Sequence, residues 1–172
     1  VIEVLGNIYG QNDAPAAWFG TFKQAAIDAG WTQSSFDSCL FTLRSKQDNS
    51  LIGVLGVHVD DTALGGAGPE FRLAVEKLRA RFPYRKWRVN SGEFCGAFYD
   101  QDPKTKVIRM SMKNCAEKLR PANIKRGVSP ETPLDAMQQR TLRAINGSLN
   151  WLASQSRPDI SAQTSISQQA FP

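Results

Sequence analysis

The chain has 172 residues, 41% hydrophobic and 22% charged, with a formal net charge of +5, enough for one sizeable core or for one domain with part of another. No run approaches the ~18 apolar residues of a membrane span, so no membrane partner is expected. The opening VIEVLGNIYG has neither a basic leader nor an initial Met and does not read as a signal peptide, while three cysteines (Cys39, Cys95, Cys115) are too few and too scattered for an expected disulfide framework or zinc site and point to a reducing compartment.

In chain order, DAPAAWFGTFKQAAIDAG predicts a helix over 14–29. Asp13 is placed to cap it, Pro15 suits the first turn, and Gly30 is a natural stop. Trp18, Phe22, Ala25, Ala26 and Ala29 recur at helical spacing. SCLFTLRS and SLIGVLGVHV follow as two strands joined by the turn-rich KQDN. The second is almost wholly apolar, as expected of a strand covered on both faces. TALGG reads as the return arm of a hairpin whose tip is Asp60-Asp61. A second helix is predicted over 69–82, with Phe71, Val75, Leu78 and Phe82 on one face. EFCGAFY and KVIRMSM then pair as strands across DQDPKT. From about Ser129 the chain reads as wholly helical, with Pro158 near the start of its last helix.

Positive charge is concentrated in one place. Between Arg72 and Arg88 stand seven basic residues (Arg72, Lys77, Arg79, Arg81, Arg85, Lys86, Arg88) against the single acid Glu76. The rest of the chain is therefore close to neutral. Phe82, Tyr84 and Trp87 interleave with these cations. Cations for phosphates and rings for bases describe a nucleic-acid surface, and a solvated helix face followed by the start of a strand describes the same residues.

Adjacent carboxylates raise the cost of ionising each other, and a structural hairpin more often uses Asn-Gly or Asp-Gly. Asp60-Asp61 is thus either a solvated turn or a site for a cation. Hard divalent ions take oxygen ligands of this kind, and in two-metal phosphoryl transfer the ions sit roughly 3.5–4 Å apart on such carboxylates.

Read in order, the motifs resemble the reverse transcriptase of copia-type LTR retrotransposons. IYGQNDAPAAWF is similar to the family's Tyr-Gly-Leu-Lys-Gln-Ala-Pro-x-Ala-Trp block, and FDSCLFTL to its Asp-Pro-Cys-Leu-Phe strand. VHVDD resembles the Tyr-Val-Asp-Asp catalytic hairpin, and GEFCGAFY the segment that follows it. INGSLNWLASQSRPDI is similar to Gly-Ser-Leu-x-Tyr-Leu-x-x-x-Thr-Arg-Pro-Asp-Ile. The hairpin and the last block are specific; the others support them.

The resemblance implies an α+β fold: a right-hand polymerase palm-like antiparallel sheet with packed helices over residues 1–127, then a helical thumb-like portion over 128–172. It implies an RNA-directed DNA polymerase that uses magnesium, or manganese in its place, with an RNA template, a DNA primer and dNTPs as partners. Asp60 and Asp61 take the catalytic metal-binding role. Tyr9, Gly10 and Pro15 border nucleotide and template. Arg79, Arg81, Arg85, Lys86 and Arg88 lie toward the nucleic acid. The remainder of a Pol polyprotein, with upstream palm and fingers and downstream RNase H, is a further expected partner. The compartment implied is intracellular, a cytoplasmic particle or the nucleus.

Departures accompany the matches. Gln11-Asn12-Asp13 stands where the family has Leu-Lys-Gln, and His58 stands where it has Tyr. The family's further palm Asp is expected on a strand before Val1, so the chain reads as an interior fragment that is inactive alone. A nucleic-acid-binding remnant without chemistry, or a relic without function, accounts for the same residues.

Overall fold

A computed structural model describes residues 12–122, 127, 129 and 131–169. The fold is α+β, with two small antiparallel sheets and a helical C-terminal portion. It divides into two units, Val1–Trp87 and Arg88–Pro172, and the 127/128 boundary drawn from the sequence falls inside the second.

The first unit begins with α1 (Ala14–Asp28). Pro15 lies in its first turn, where the missing N–H would have no partner in any case. Asp13 occupies the N-cap position but makes no side-chain cap bond, against expectation. Its backbone is already helical (φ −94°, ψ −12°), whereas a capping side chain reaches the N2 or N3 amide from an extended residue. The other end is closed by a Schellman motif. Trp31 N–H donates to the Ala26 carbonyl (3.0 Å) and Gly30 N–H to that of Ile27 (2.9 Å), with Gly30 at φ +102°.

Four strands follow in sheet order β1 (Thr32–Gln33), β2 (Leu40–Arg44), β3 (Leu51–His58) and β4 (Asp61–Gly66), all antiparallel. The two-residue β1 is too short to have shown a pattern in the sequence. α2 (Pro69–Arg81) then packs back on the sheet. Both helices lie on one face. Phe22 and Ala26 of α1, Phe41, Leu43, Leu55 and Val57 of the strands, and Ala74 and Leu78 of α2 form one buried cluster with Trp31. Accordingly β3 does not have two covered faces, as its apolar run predicted. Gly53, Leu55 and Val57 are buried, while Leu51, Val54 and His58 are exposed, the alternation of a strand with one dry side.

The second unit holds β5 (Ser91–Phe94), β6 (Ala97–Gln101) and β7 (Ile108–Ser111), which form a second sheet rather than extending the first. EFCGAFY is not one strand. Cys95 (φ +50°) and Gly96 (φ +75°) make a two-residue turn that joins β5 to β6, and two left-handed residues in succession define a type I′ hairpin. α3 (Lys113–Lys118), unforeseen in the sequence, brings Met112 and Cys115 against Ala97, Tyr99 and Leu152.

The expected helix from Ser129 starts only at Ala136, as α4 (Ala136–Gln155). Pro133 disfavours helix in the residue before it. A capping box then sets the start: Gln138 N–H donates to Asp135 Oδ1 (2.8 Å), and Gln138 Oε1 accepts from Asp135 N–H (3.0 Å). A 3-10 turn (Pro158–Ile160) leads into α5 (Ser161–Gln169). Among the described residues no helix is long and apolar enough to cross a membrane.

Two glycines of the first unit separate close packing from open space. A Cβ on Gly66 would lie 2.5 Å from both the Ile52 carbonyl oxygen and the Phe71 ring, whereas one on Gly20 meets nothing within 4 Å. Gly66→Ala should lower the stability read by urea denaturation by about 1–3 kcal/mol. Gly20→Ala, inside α1, should raise it by about 0.5–1 kcal/mol; equal effects of the two would contradict this packing.

Candidate functional site

β3 and β4 pair from Gly53↔Gly66 to His58↔Asp61, which leaves Val59 and Asp60 as the tip of a two-residue hairpin. The expected tip, Asp60-Asp61, is therefore offset by one: Asp60 is in the turn and Asp61 is the first residue of the return strand. Both carboxylates are exposed. Val59 lies at φ +55° and is 65% exposed. Tight hairpin turns demand a left-handed residue, usually glycine, asparagine or aspartate. A β-branched residue there is an outlier, with a cost of about 1–3 kcal/mol. Strain of this kind sits immediately before the acidic pair.

The topology brings the basic segment to the same end of the sheet. β4 runs away from the tip, and α2 starts beyond its far end, where Phe71 lies against Gly53 and Gly66. The helix then returns, so that the chain after it reaches Thr62, the neighbour of Asp61. There the Tyr84 phenol is pushed up from its usual pKa by burial, which the Thr62 side chain partly offsets. Its oxygen is buried without a well-formed hydrogen bond. Tyr84 and Trp87 meet edge to face at 5.3 Å, and the Arg79 guanidinium lies over the Trp87 ring at 4.7 Å.

The expected cations thus divide. Arg79 and Arg81 occupy the last turn of α2, where positive charge complements the helix dipole, and each also touches a ring, Trp87 and Phe82 respectively. Arg85 and Lys86 are exposed on the irregular segment after the helix. Arg88 is exposed and opens the second unit. Pro15 is exposed on the first turn of α1, and Tyr9 and Gly10 lie outside the described residues.

One feature of this sheet end had no clear signal in the sequence. Phe36, 99% exposed, projects from the loop between β1 and β2. That loop lies beside the end of β3, since Val57 N–H donates to the Cys39 carbonyl (2.9 Å). It is held by Phe36 N–H to Ser34 Oγ (3.1 Å), Cys39 N–H to Asp37 Oδ1 (2.8 Å) and Gln33 Nε2 to the Ser38 carbonyl (2.8 Å). A lone aromatic residue in the turn-rich SSFDS was its only trace.

The C-terminal block of the sequence performs structural work in the second unit. Asn146 is buried and exchanges bonds with Ser167, accepting from its hydroxyl (3.0 Å) and donating to its carbonyl (3.3 Å), which fastens α5 to α4. Arg157 grips Asp159 through Nε (2.8 Å) and a terminal nitrogen (2.7 Å) across Pro158. This pairing holds the Asp159 carboxyl below the usual aspartate range and raises the guanidinium.

The residues fit magnesium in one manner only. Among the described residues no three His, Cys, Asp or Glu side chains come together as a metal group. Magnesium is ordinarily held by one or two carboxylates, with substrate phosphates and waters completing six oxygens. Asp60 and Asp61 suit an ion shared with a polyphosphate and form no dedicated cage. None of the family models, curated proteins and solved structures compared with the chain matches it.

Val59→Gly, which frees the turn from its left-handed valine, should raise stability in urea by about 1–3 kcal/mol; a loss would remove the strain. For Asp159, a depressed folded pKa means that its stabilisation is in place above the usual aspartate value and lost as pH falls through the folded one. A carboxyl NMR titration should find its midpoint below 3.8, and Arg157→Gln should return it toward that value.

Proposed function

We propose that this chain is part of an RNA-directed DNA polymerase of the copia-type LTR retrotransposon class, its first unit corresponding to the palm and its C-terminal helices to a thumb-like region. The observation that carries the reading is the hairpin: two exposed carboxylates at the end of an antiparallel sheet backed by two helices, with a basic, aromatic segment returning beside them. The order of motifs along the chain supports it independently.

In this reading Asp60 and Asp61 hold the metal that, when bound, activates the primer hydroxyl and neutralises phosphate charge. The chain's own residues do the rest by position. The hairpin turn directs Asp60 outward, and the cross-strand pair with His58 sets the place of Asp61. Arg85 and Lys86 meet backbone phosphates, while Arg79 braces Trp87 as one wall of the strand's path. Phosphate contacts carry no sequence information, as befits an enzyme that copies any template. The reading requires a third carboxylate beyond the described residues.

That requirement favours a second reading in its absence: a nucleic-acid-binding remnant without chemistry. One set of measurements separates the two. Binding to a duplex primer–template should weaken with salt at a log–log slope near −0.9 per phosphate contact, and changing Arg85 and Lys86 together to Ala should flatten it by about 1.8. An unchanged slope would assign both residues to a solvated face. The 172-residue chain should incorporate no dNTP on a primed RNA. Joined to the acid-bearing palm segment of an intact relative, it should extend the primer, and Asp60→Asn or Asp61→Asn should abolish extension with binding kept. Failure of the joined protein to extend, with binding intact, selects the remnant.

A further inference from the structure

We infer that the outer edge of β7 is a docking site for an acidic extended segment of a partner protein, which adds to the second sheet as a fourth strand. Among the described residues β7 ends its sheet and pairs only with β6. In an antiparallel pair alternate residues turn their N–H and C=O groups away from the neighbouring strand, so a terminal strand offers a row of donors and acceptors. All four of its residues are exposed.

Its side chains are sorted by face. Met110 stands opposite Tyr99, which packs on the buried cluster of Ala97, Met112 and Leu152. Ile108, two residues earlier, shares that face. Ile108 is 63% and Met110 42% exposed, so the apolar face of the sheet continues past its helical cover to the edge. Arg109 and Ser111 take the other face, with Arg109 opposite Asp100. Single apolar side chains on a surface need no explanation; two in register beside an open backbone row form a template.

Charge selects the occupant. From Lys104 to Ser111 the chain carries Lys104, Lys106 and Arg109 and no acid, while Lys113, further on, pairs with Glu117 (3.6 Å). The Asp102 carboxylate, which begins this connection, is taken up by the N–H groups of Lys104 and Thr105 (2.8 Å each). Cations on an edge strand prevent it from pairing with its own copy, because like charges would face each other across the new ladder. The same cations attract an acidic strand, a discrimination made by repulsion and attraction together. The segment from Lys104 to Lys113 has no aromatic residue, and Phe98, a single exposed ring on β6 opposite Ser111, does not make the run of rings on which the successive bases of a single strand stack. The fitting segment alternates acidic residues, beside Arg109 and the basic turn, with apolar ones beside Ile108 and Met110.

A short peptide alternating glutamate with valine, added to the whole chain, tests this. It should bind saturably and slow hydrogen exchange at Ile108–Ser111. The same peptide N-methylated at its valines, which keeps the charges but removes the donors, should bind at least about tenfold more weakly, as should the unmodified peptide to the Lys104→Glu, Lys106→Glu variant. Equal binding of the methylated peptide overturns strand addition. Absence of peptide binding, or protection of the same amides by oligouridine and not by the peptide, overturns the acidic partner.

Discussion

The Phe22 side chain, on the buried face of α1, contacts three aromatic rings from three parts of the first unit. Trp18 stacks on it at 5.3 Å, Phe41 of β2 meets it edge-on at 6.2 Å, and Phe82, just past the end of α2, lies 5.4 Å away. One fully buried ring therefore ties the first helix to the sheet and to the residue at which the second helix ends, Phe82, whose extended backbone precedes Pro83. Aromatic pairs contribute about 0.5–1.5 kcal/mol each beyond the area they bury. The consequence is positional: with Phe82 anchored here, Tyr84 is delivered to Thr62, and Arg85 and Lys86 emerge at the end of the sheet that carries the acidic pair.

That end of the sheet combines opposite charges and strain in a small space. Asp60 and Asp61 remain solvated, the cations stand on a segment held by ring contacts, and Val59 accepts a backbone conformation that glycine would take without cost. The acidic pair is tolerable here because both carboxylates are exposed, and water screens the mutual repulsion that burial would amplify.

Much of this was legible in the residues, for local reasons. The two first-unit helices announced themselves through Pro15, Gly30 and Pro69 as punctuation and through the spacing of Phe22, Ala26, Phe71 and Leu78. The acidic pair was placed correctly on a hairpin. What escaped was set by distant contacts or by length. The tip fell on Val59-Asp60 because the register of β3 and β4 is decided elsewhere. Cys95 took a left-handed turn position that asparagine usually marks, so a hairpin looked like one strand. β1 and α3 were too short for any period to emerge. Tyr84 beside Thr62 and Phe36 beside the end of β3 are products of topology, which no window of sequence displays.

The glycines opposite each other at the base of the β3–β4 hairpin decide what stands at its tip. Gly53 and Gly66 lie under the Phe71 ring, where added Cβ atoms would come within 2.7 and 2.5 Å of it. A slip of β4 by one residue would turn Thr62 and Leu64 out of the core. A slip by two would keep the faces but bring a side chain such as Leu64 to the place under the ring that only hydrogen can fill. Misaligned hairpins are thus incompatible with the docked α2. The identity of the residue in the turn, and with it the direction of the Asp60 carboxylate, is proofread from the opposite end of the sheet by a phenylalanine that never approaches it.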